Sequence, residues 1–432
     1  MDRLLQARQD IDRIDTELAR LFEARMAAAA EIAVWKQAHG RPIRDEARER
    51  ELLIRNSACI QDTALRPHYC AFLKDLMSRS RDYQEEILRP EGPTLLWVRT
   101  ASGNYPVCLR RGILAQAGRL ADLERVVFLV TDEGVPRTYA ETVAAQCGRA
   151  VIHTVRQGEA GKSPAVLTAL LESMLRAGLT RNDCVAAVGG GMVCDLAGLA
   201  AALYMRGIDF FSFPTTLLAM VDASVGGKTA VNLGGVKNAV GIFRQPRAVI
   251  IDTEVLATLS PRHVANGLAE AAKMVLTHDA ALFARFEEPK GYGPVEDIIA
   301  ACLQIKRAVV AADEQEQGLR RVLNFGHTLG HGIEAASGGA LLHGECIALG
   351  MLPMCAPAVR NRLVPVLEHM GLPTFGSFDF DPDAAMTAIC HDKKTVDGGV
   401  EIVTVPEIGR FTFRKASLEE LRQMLLTLIK KT

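Results

Sequence analysis

The 432-residue chain contains no run of about twenty consecutive apolar residues, which excludes a membrane-spanning helix of the usual length. Its opening, MDRLLQARQD, lacks the apolar core of a secretory signal. Neither sign of charge is in excess: 50 Lys plus Arg stand against 51 Asp plus Glu. No global field would therefore draw the chain to nucleic acid or to an anionic membrane, and any anionic partner must be met by a local cluster. The ten cysteines stand singly, without a C-x-x-C pair. That excludes a compact disulfide framework and suits reduced thiols in a soluble cytoplasmic protein. No internal repeat or low-complexity segment interrupts the chain. What is present is length beyond what one hydrophobic core usually fills, so two or three domains are expected.

Residues 1–38 contain neither proline nor glycine and carry apolar side chains at Leu4, Ile11, Ile14, Leu18, Leu21, Ala28, Ile32 and Trp35. This predicts one long helix. From Ile11 onward the apolar positions follow a 3.5-residue repeat, the mark of a helix packed lengthwise against others. Gly40 and Pro42 stop it, and two further helices are expected over 45–61 and 67–88. The segment Arg89-Pro90-Glu91-Gly92-Pro93 is the expected linker, 89–93. Beyond it, short apolar runs such as VVFLVT, AVIHTV and CVAAVGGG alternate with helical patterns. That texture predicts an α/β sheet with parallel strands over 94–260, followed by a mainly helical domain over 261–432.

Within the first helix, Arg25 falls on the heptad seam between Leu21 and Ala28, where an unpaired guanidinium would be costly to bury. It needs an anion nearby. Lys36, eleven residues on, returns to within about 20° of the same face. Alone it reads as a solvated flank charge, since lysine snorkels easily. Arg8 lies seventeen residues before Arg25, about 25 Å along a straight helix, so the two cannot grip one small ligand from a single chain. If all three share a site, Arg8 comes from a second subunit.

The stretches MDRLLQARQDIDRIDTELARLFEARMAAAAEIAVWK, RPIRDEARERELL and SRDYQ resemble the all-helical class of chorismate mutases over residues 1–88. The resemblance implies a three-helix domain of the intertwined-dimer type. It also implies a dicarboxylate site made by Arg8 of the partner chain with Arg25, Lys36, Asp45, Arg48, Glu49, Ser80 and Gln84. The chorismate to prephenate rearrangement is unimolecular and needs no nucleophile, so positioning and electrostatics suffice. The competing reading is a domain that binds a pathway product or only dimerises.

In the expected second domain, Cys184 to Val188 followed by Gly189-Gly190-Gly191 reads as strand, glycine turn and helix N-terminus, which can seat a pyrophosphate. The spacing is not that of the usual dinucleotide fingerprint, and a glycine triplet is often only a flexible turn. His327 and His331 in NFGHTLGHGIE, His343 in LLHGE and Glu270 in GLAEAAK form a candidate metal set. Spacing alone pairs His327 with His331, one helical turn apart.

Together GGGMVCDLAG, YMRG, FPTTLLAMVDASVGGKTAVN, GGVKNAVGIF, GLAEAAK, DEQEQGLRRVLNFGHTLGH, LLHGE and HDKK resemble 3-dehydroquinate synthase from about residue 94 to the C-terminus. The resemblance implies a divalent metal, zinc or cobalt, on Glu270, His327 and His343, overriding the spacing argument. It assigns NAD to Asp132, Glu159, Lys162, Gly190, Gly191, Asp195, Thr215, Thr216 and Lys237. Substrate binding falls to Arg206, Asp222, Asn238 and Lys393, and catalysis to Lys228, Lys273, Lys306, Arg320, Asn324 and His331, with Glu316 a proton acceptor. The implied reaction eliminates phosphate from 3-deoxy-D-arabino-heptulosonate 7-phosphate and closes the ring to 3-dehydroquinate, with NAD borrowed and returned. A related sugar-phosphate cyclase and a synthase for the amino-substituted substrate are the competing readings. Arg320, Asn324 and His331 favour the dehydroquinate branch.

Three departures from the family pattern stand out. Where the family has Asp-x-Asn after the first nucleotide-binding strand, this chain has Asp132-Glu133-Gly134. The stretches between Glu270 and Lys306 and between His343 and Pro373 are short. The latter carries Pro353, Pro357 and Pro365 in what is usually helical sequence, which puts the local packing in question.

Overall fold

The computed structural model describes residues 3–39, 41–88, 94–288, 293–392 and 399–429. The expected linker 89–93 and the candidate substrate residue Lys393 lie outside them. The chain divides into two compact units, Met1–Trp97 and Val98–Thr432.

The first unit is helical: α1 (Arg3–Ala38), α2 (Glu46–Ser57) and α3 (Arg66–Leu88). Asp45 starts α2 by accepting a hydrogen bond from Arg48 N at 3.0 Å, which satisfies one of the orphan donors of the first turn. The second helix stops at Ser57, short of the expected 61, and a turn carries the chain to Arg66. Among the described residues, only the C-terminal half of α1 finds a core within the chain. Met26, Ala27, Ala29, Ala30 and Ala33 are buried, together with Leu73 and Met77 of α3. The seam residues Ile11, Ile14, Leu18 and Leu21 are 44–62% exposed.

Strand β1 (Thr94–Thr100) spans the boundary, and the second unit continues with β2 (Gly103–Leu109), α4 (Ala117–Leu120), β3 (Val126–Asp132), α5 (Arg137–Ala144) and β4 (Arg149–Val155). There follow α6 (Pro164–Arg176), β5 (Cys184–Gly189), α7 (Gly191–Leu203), β6 (Asp209–Pro214), the hairpin β7 (Lys228–Leu233) and β8 (Val236–Phe243), and β9 (Ala248–Ile251). The sheet order is β1-β2-β9-β6-β5-β3-β4, parallel from β2 to β4. Parallel strands are covered on both faces, which is why β3 and β5 read as unbroken apolar runs and bury every residue from Val127 to Val130 and from Cys184 to Val188. From β3 the chain returns on one side as β4, and from β5 it leaves on the other as β6. Their carboxyl ends therefore open a crevice at the switch in strand order.

The remainder is α8 (Pro261–His278), α9 (Ala280–Phe286), α10 (Val295–Ala312), α11 (His327–Ala336), α12 (His343–Met351), α13 (Pro357–His369), α14 (Pro382–Asp392), β10 (Val400–Glu407), β11 (Arg410–Ala416) and α15 (Leu418–Leu428). The antiparallel β10–β11 hairpin is an addition to the mainly helical expectation. The prolines have defined places. Pro353 lies in a 3-10 turn, and Pro357 is the first residue of α13, where no amide donor is needed. Pro365 sits inside α13 and removes the donor that would reach the Asn361 carbonyl.

Candidate active site

The histidines converge because α11 and α12 approach closely. Gly326 turns the chain into α11 at φ 78°, and a Cβ there would lie 2.7 Å from Met351 Cγ. A Cβ at Gly350 would lie 2.2 Å from the Gly326 carbonyl oxygen. One nitrogen from each of His327, His331 and His343 falls within 4.8 Å of the others. Glu270 Oε1 on α8 is 3.6 Å from His327 Nε2 and 3.4 Å from His343 Nε2.

Both Glu270 oxygens are buried and, among the described residues, neither receives a well-formed hydrogen bond, although Lys273 Nζ lies 2.5 Å from Oε2. A buried carboxylate oxygen facing the imidazoles of His327 and His343 is a donor set that fits a divalent metal. Burial, then the nearby Lys273 ammonium, hold His327 well below the usual imidazole range. Burial would lower His343 too, but the facing carboxylates of Glu270 and Glu334 outweigh that and carry it to about 9.

A cationic cluster adjoins this set. Lys273 reaches Asp222 at 3.1 Å, and Lys306 bonds the same carboxylate and its backbone carbonyl. Burial would raise the Asp222 carboxyl, yet Lys273 and Lys306 hold it well below the ordinary range. For Lys306 burial prevails over Asp222 and brings the ammonium down to about 8. Arg320, 2% exposed, donates to the carbonyls of Glu314 and Gly226 and lies within electrostatic range of Asp222 and Glu316. Glu316, at φ 60°, pairs with Lys228 and accepts from Asn324 Nδ2 at 2.7 Å. A non-glycine residue in that backbone region is uncommon and clusters at functional sites.

The crevice residues form a third group. Asp132 ends β3, and its carboxyl is raised by burial despite the bond from Gly134 N at 2.8 Å. Gly190 and Gly191 open α7 with the Thr216 side chain packed against Gly190, and Thr215 N bonds Gly189 O at 2.9 Å. Lys162 bridges Asp195 at 2.6 Å and Asn238, whose φ is 53°. Glu159 accepts from Asn232 Nδ2 at 2.7 Å. Arg206, at φ 71°, is exposed after α7, and among the described residues no hydrogen bond or ion pair joins it to either cluster. The space beside Gly134 is taken by the Gln157 amide, 2.2 Å from where a Cβ would stand.

Two residues escaped the sequence reading. Glu334 accepts from His343 Nδ1 at 3.1 Å and pairs with Lys237 at 2.6 Å. Burial would raise its carboxyl, but His343 and Lys237 hold it well below the usual range. Its signal was available, because Glu334 lies three residues after His331 and seven after His327 on one helix face. In the helical unit, Arg81 pairs with Glu49 at 2.6 Å.

Of the rest of that unit's candidate set, Arg25, Ser80 and Gln84 gather along α3. Arg25 Nη1 lies 3.5 Å from the Leu76 carbonyl, and burial lowers its guanidinium. Ser80 and Gln84 are buried, with Gln84 Nε2 bonded to Ser80 O at 3.1 Å and its Oε1 without a partner. Lys36 donates to the Ile43 carbonyl, Asp45 caps α2, and Arg48 is engaged with Glu51. Arg8 is exposed on α1.

Fold and site define a class: an α/β enzyme with a polar crevice at the carboxyl ends of parallel strands and an imidazole–carboxylate cluster on its helices. Family models for the 3-dehydroquinate synthase N-terminal and C-terminal parts match residues 152–266 and 267–395, and the chorismate mutase type II model matches 7–85. The 3-dehydroquinate synthase of Streptococcus sanguinis (strain SK36) is 40% identical over 347 residues, spanning 74% of this chain and 96% of that protein. That of Rhodospirillum rubrum is 42% identical over 347 residues, spanning 73% and 90%.

Among solved structures, 2-deoxy-scyllo-inosose synthase complexed with carbaglucose-6-phosphate, NAD+ and Co2+ superposes with a TM-score of 0.70 at 25% identity, covering 77% of this chain and 99% of that one. The 2-epi-5-epi-valiolone synthase of Streptomyces hygroscopicus subsp. jinggangensis 5008, with NAD+ and Zn2+ bound, gives 0.68 at 29%, covering 75% and 96%. The chain belongs to the 3-dehydroquinate synthase family and carries a chorismate mutase type II domain at its N-terminal end.

Proposed function

We propose that residues 94–432 convert 3-deoxy-D-arabino-heptulosonate 7-phosphate to 3-dehydroquinate and phosphate. In this reading 94–260 bind NAD, 261–432 bind metal and substrate, and 1–88 rearrange chorismate to prephenate in a cytoplasmic homodimer. The observation that carries the synthase reading is the buried group in which Lys273 and Lys306 close on Asp222 beside Glu270 and three imidazoles. Arg320 stands nearby, with Glu316 and Asp222 in electrostatic range, and a divalent metal would add further positive charge. Such a site is costly without a multivalent anion, which a phosphorylated carboxylic acid supplies.

When bound, NAD supplies a hydride acceptor regenerated within the turnover, and zinc or cobalt a Lewis acid at vicinal hydroxyls. Glu270, His327 and His343 would hold the metal. Asp132, Glu159, Lys162, Asp195, Lys237 and the Gly190–Thr216 cradle would hold the cofactor. Lys273, Lys306 and Arg320 fix the anionic ends of the substrate, and Asn238 and Lys228 its hydroxyls. Glu316, oriented by Asn324, accepts a proton, and His331 holds one at the substrate.

Identity of 40–42% to dehydroquinate synthases against 25–29% to the cyclases supports the dehydroquinate branch. The test is phosphate release from the heptulosonate phosphate, with its amino analogue and other heptulose phosphates assayed in parallel. Turnover of only one of the others would replace this reading.

For the mutase, support comes from the exposed apolar seam Ile11, Ile14, Leu18 and Leu21, which a second α1 would cover and which would bring Arg8 to Arg25 and Lys36. A sensor or dimerisation role is the second reading, favoured by the Arg81–Glu49 pair that occupies a candidate ligand group. Chorismate disappearance in the same preparation separates the two.

A further inference from the structure

Glu334 stands where two sets of residues meet. Its Oε2 lies 3.1 Å from Nδ1 of His343, whose Nε2 faces Glu270 at 3.4 Å. Its Oε1 lies 2.6 Å from Nζ of Lys237, on β8, beside Asn238 and its link to Lys162 and Asp195. The carboxylate side chain is 11% exposed, whereas the lysine is 36% exposed and open to other anions. The bond to Nδ1 fixes the imidazole tautomer that leaves Nε2 free as a metal donor, and a carboxylate in that position raises the donor's basicity. One carboxylate is thus shared between a histidine and a cation, and charge drawn by one partner is lost to the other.

We propose that Glu334 is a positioning residue that orients His343 for the metal and couples metal binding to cofactor binding through Lys237. The inference rests on the reading that His343 ligates the metal and Lys237 meets the pyrophosphate-bearing cofactor. When Lys237 turns to the anionic cofactor, Glu334 loses its neutralising partner and its charge acts on His343 alone, making that imidazole a stronger ligand. NAD therefore tightens the metal, and by thermodynamic reciprocity the metal tightens NAD. Without the shared carboxylate, the two ligands bind independently along this route.

The test measures zinc affinity of the full-length protein by competition with a chromophoric chelator, with and without saturating NAD. Wild type should bind zinc about five-fold or more tightly in the presence of NAD, the lower end of ordinary coupling. Glu334→Ala should lose about 10–100-fold in zinc affinity. Glu334→Gln, whose amide oxygen still accepts from Nδ1, should recover most of that affinity but show little or no NAD effect. Lys237→Met should bind zinc as tightly without NAD as wild type does with it.

A persisting NAD effect in Glu334→Gln, or undiminished zinc affinity in Glu334→Ala, overturns the inference. Should Glu334→Ala fail to fold, Glu334→Gln and Lys237→Met decide by the coupling alone. His343→Ala serves as the control: if it binds zinc like wild type, the ligand assignment fails. If it loses zinc while Glu334→Ala does not, only the role of Glu334 fails.

Discussion

Glu270 and Lys273 lie one turn apart on α8 and form a buried ion pair, Oε2 to Nζ 2.5 Å, with both side chains at most 2% exposed. The lysine also leans on Asp222, so Glu270 holds only part of its charge and keeps its other oxygen toward His327 and His343. A divalent cation at that oxygen satisfies a group otherwise left without a hydrogen bond. Chelation should therefore abolish phosphate release, and zinc or cobalt should restore it. His343→Ala should lose metal and turnover together, whereas His331→Ala should keep metal and lose turnover by about 100-fold or more, the ordinary range for acid–base groups. Elemental analysis beside the assay decides; full activity in metal-free protein sinks the metal assignment.

Lys306 makes the reaction sensitive to alkaline pH. Its folded value of about 8 lies below the ordinary 10.5, so the ammonium is present below pH 8 and lost as pH rises through it. Capture of an anionic substrate should follow, with kcat/KM falling about ten-fold per unit above that point. The stability contribution runs the other way: the unfolded chain keeps its proton to higher pH, so deprotonation of Lys306 favours the folded state between about 8 and 10.5. Lys306→Arg keeps its charge and should push the basic limb upward. A limb left unmoved would trace to another group.

NAD should be needed in catalytic amount only. In the proposed reaction the electrons taken from the substrate would return to it within the turnover, so no reduced nicotinamide should accumulate. Absorbance of the reduced cofactor growing in step with phosphate would point to a net oxidation and contradict the lyase reading.

The sheet was legible because parallel strands buried on both faces leave apolar runs: VVFLVT and CVAAVG became β3 and β5. The long first helix was legible from its repeat, but which half would be buried was not. The alanines 27, 29, 30 and 33 pack within the chain, whereas the larger seam residues Ile11, Ile14, Leu18 and Leu21 stand exposed among the described residues. The approach of His343 to His327 depends on glycines at 326 and 350 that touch across two helices, a contact invisible to spacing, and spacing alone favoured the His327–His331 pair. Glu334 was overlooked because a carboxylate on a helix usually reads as a solvated charge. Its meaning appears only when Lys237, 97 residues earlier in the sequence, lies beside it.

The most discriminating test concerns the helical unit. Arg8 and Arg25 lie on one continuous α1, and seventeen residues at about 1.5 Å each separate them by roughly 25 Å. An active mutase site holding both must be built from two chains. Arg8→Ala and Arg25→Ala should each be nearly inactive toward chorismate, while phosphate release is untouched. Mixing them should restore mutase activity, because an exchanged dimer pairs the intact Arg8 of one chain with the intact Arg25 of the other. Its second site carries both lesions, and exchanged dimers make up about half of an equilibrated mixture, so roughly a quarter of the wild-type signal should return. Differently tagged chains verify the exchange. If the exchanged mixture stays as inactive as its parents, the shared site is wrong; if wild-type protein also leaves chorismate unchanged, the unit serves as a sensor or a dimerisation device.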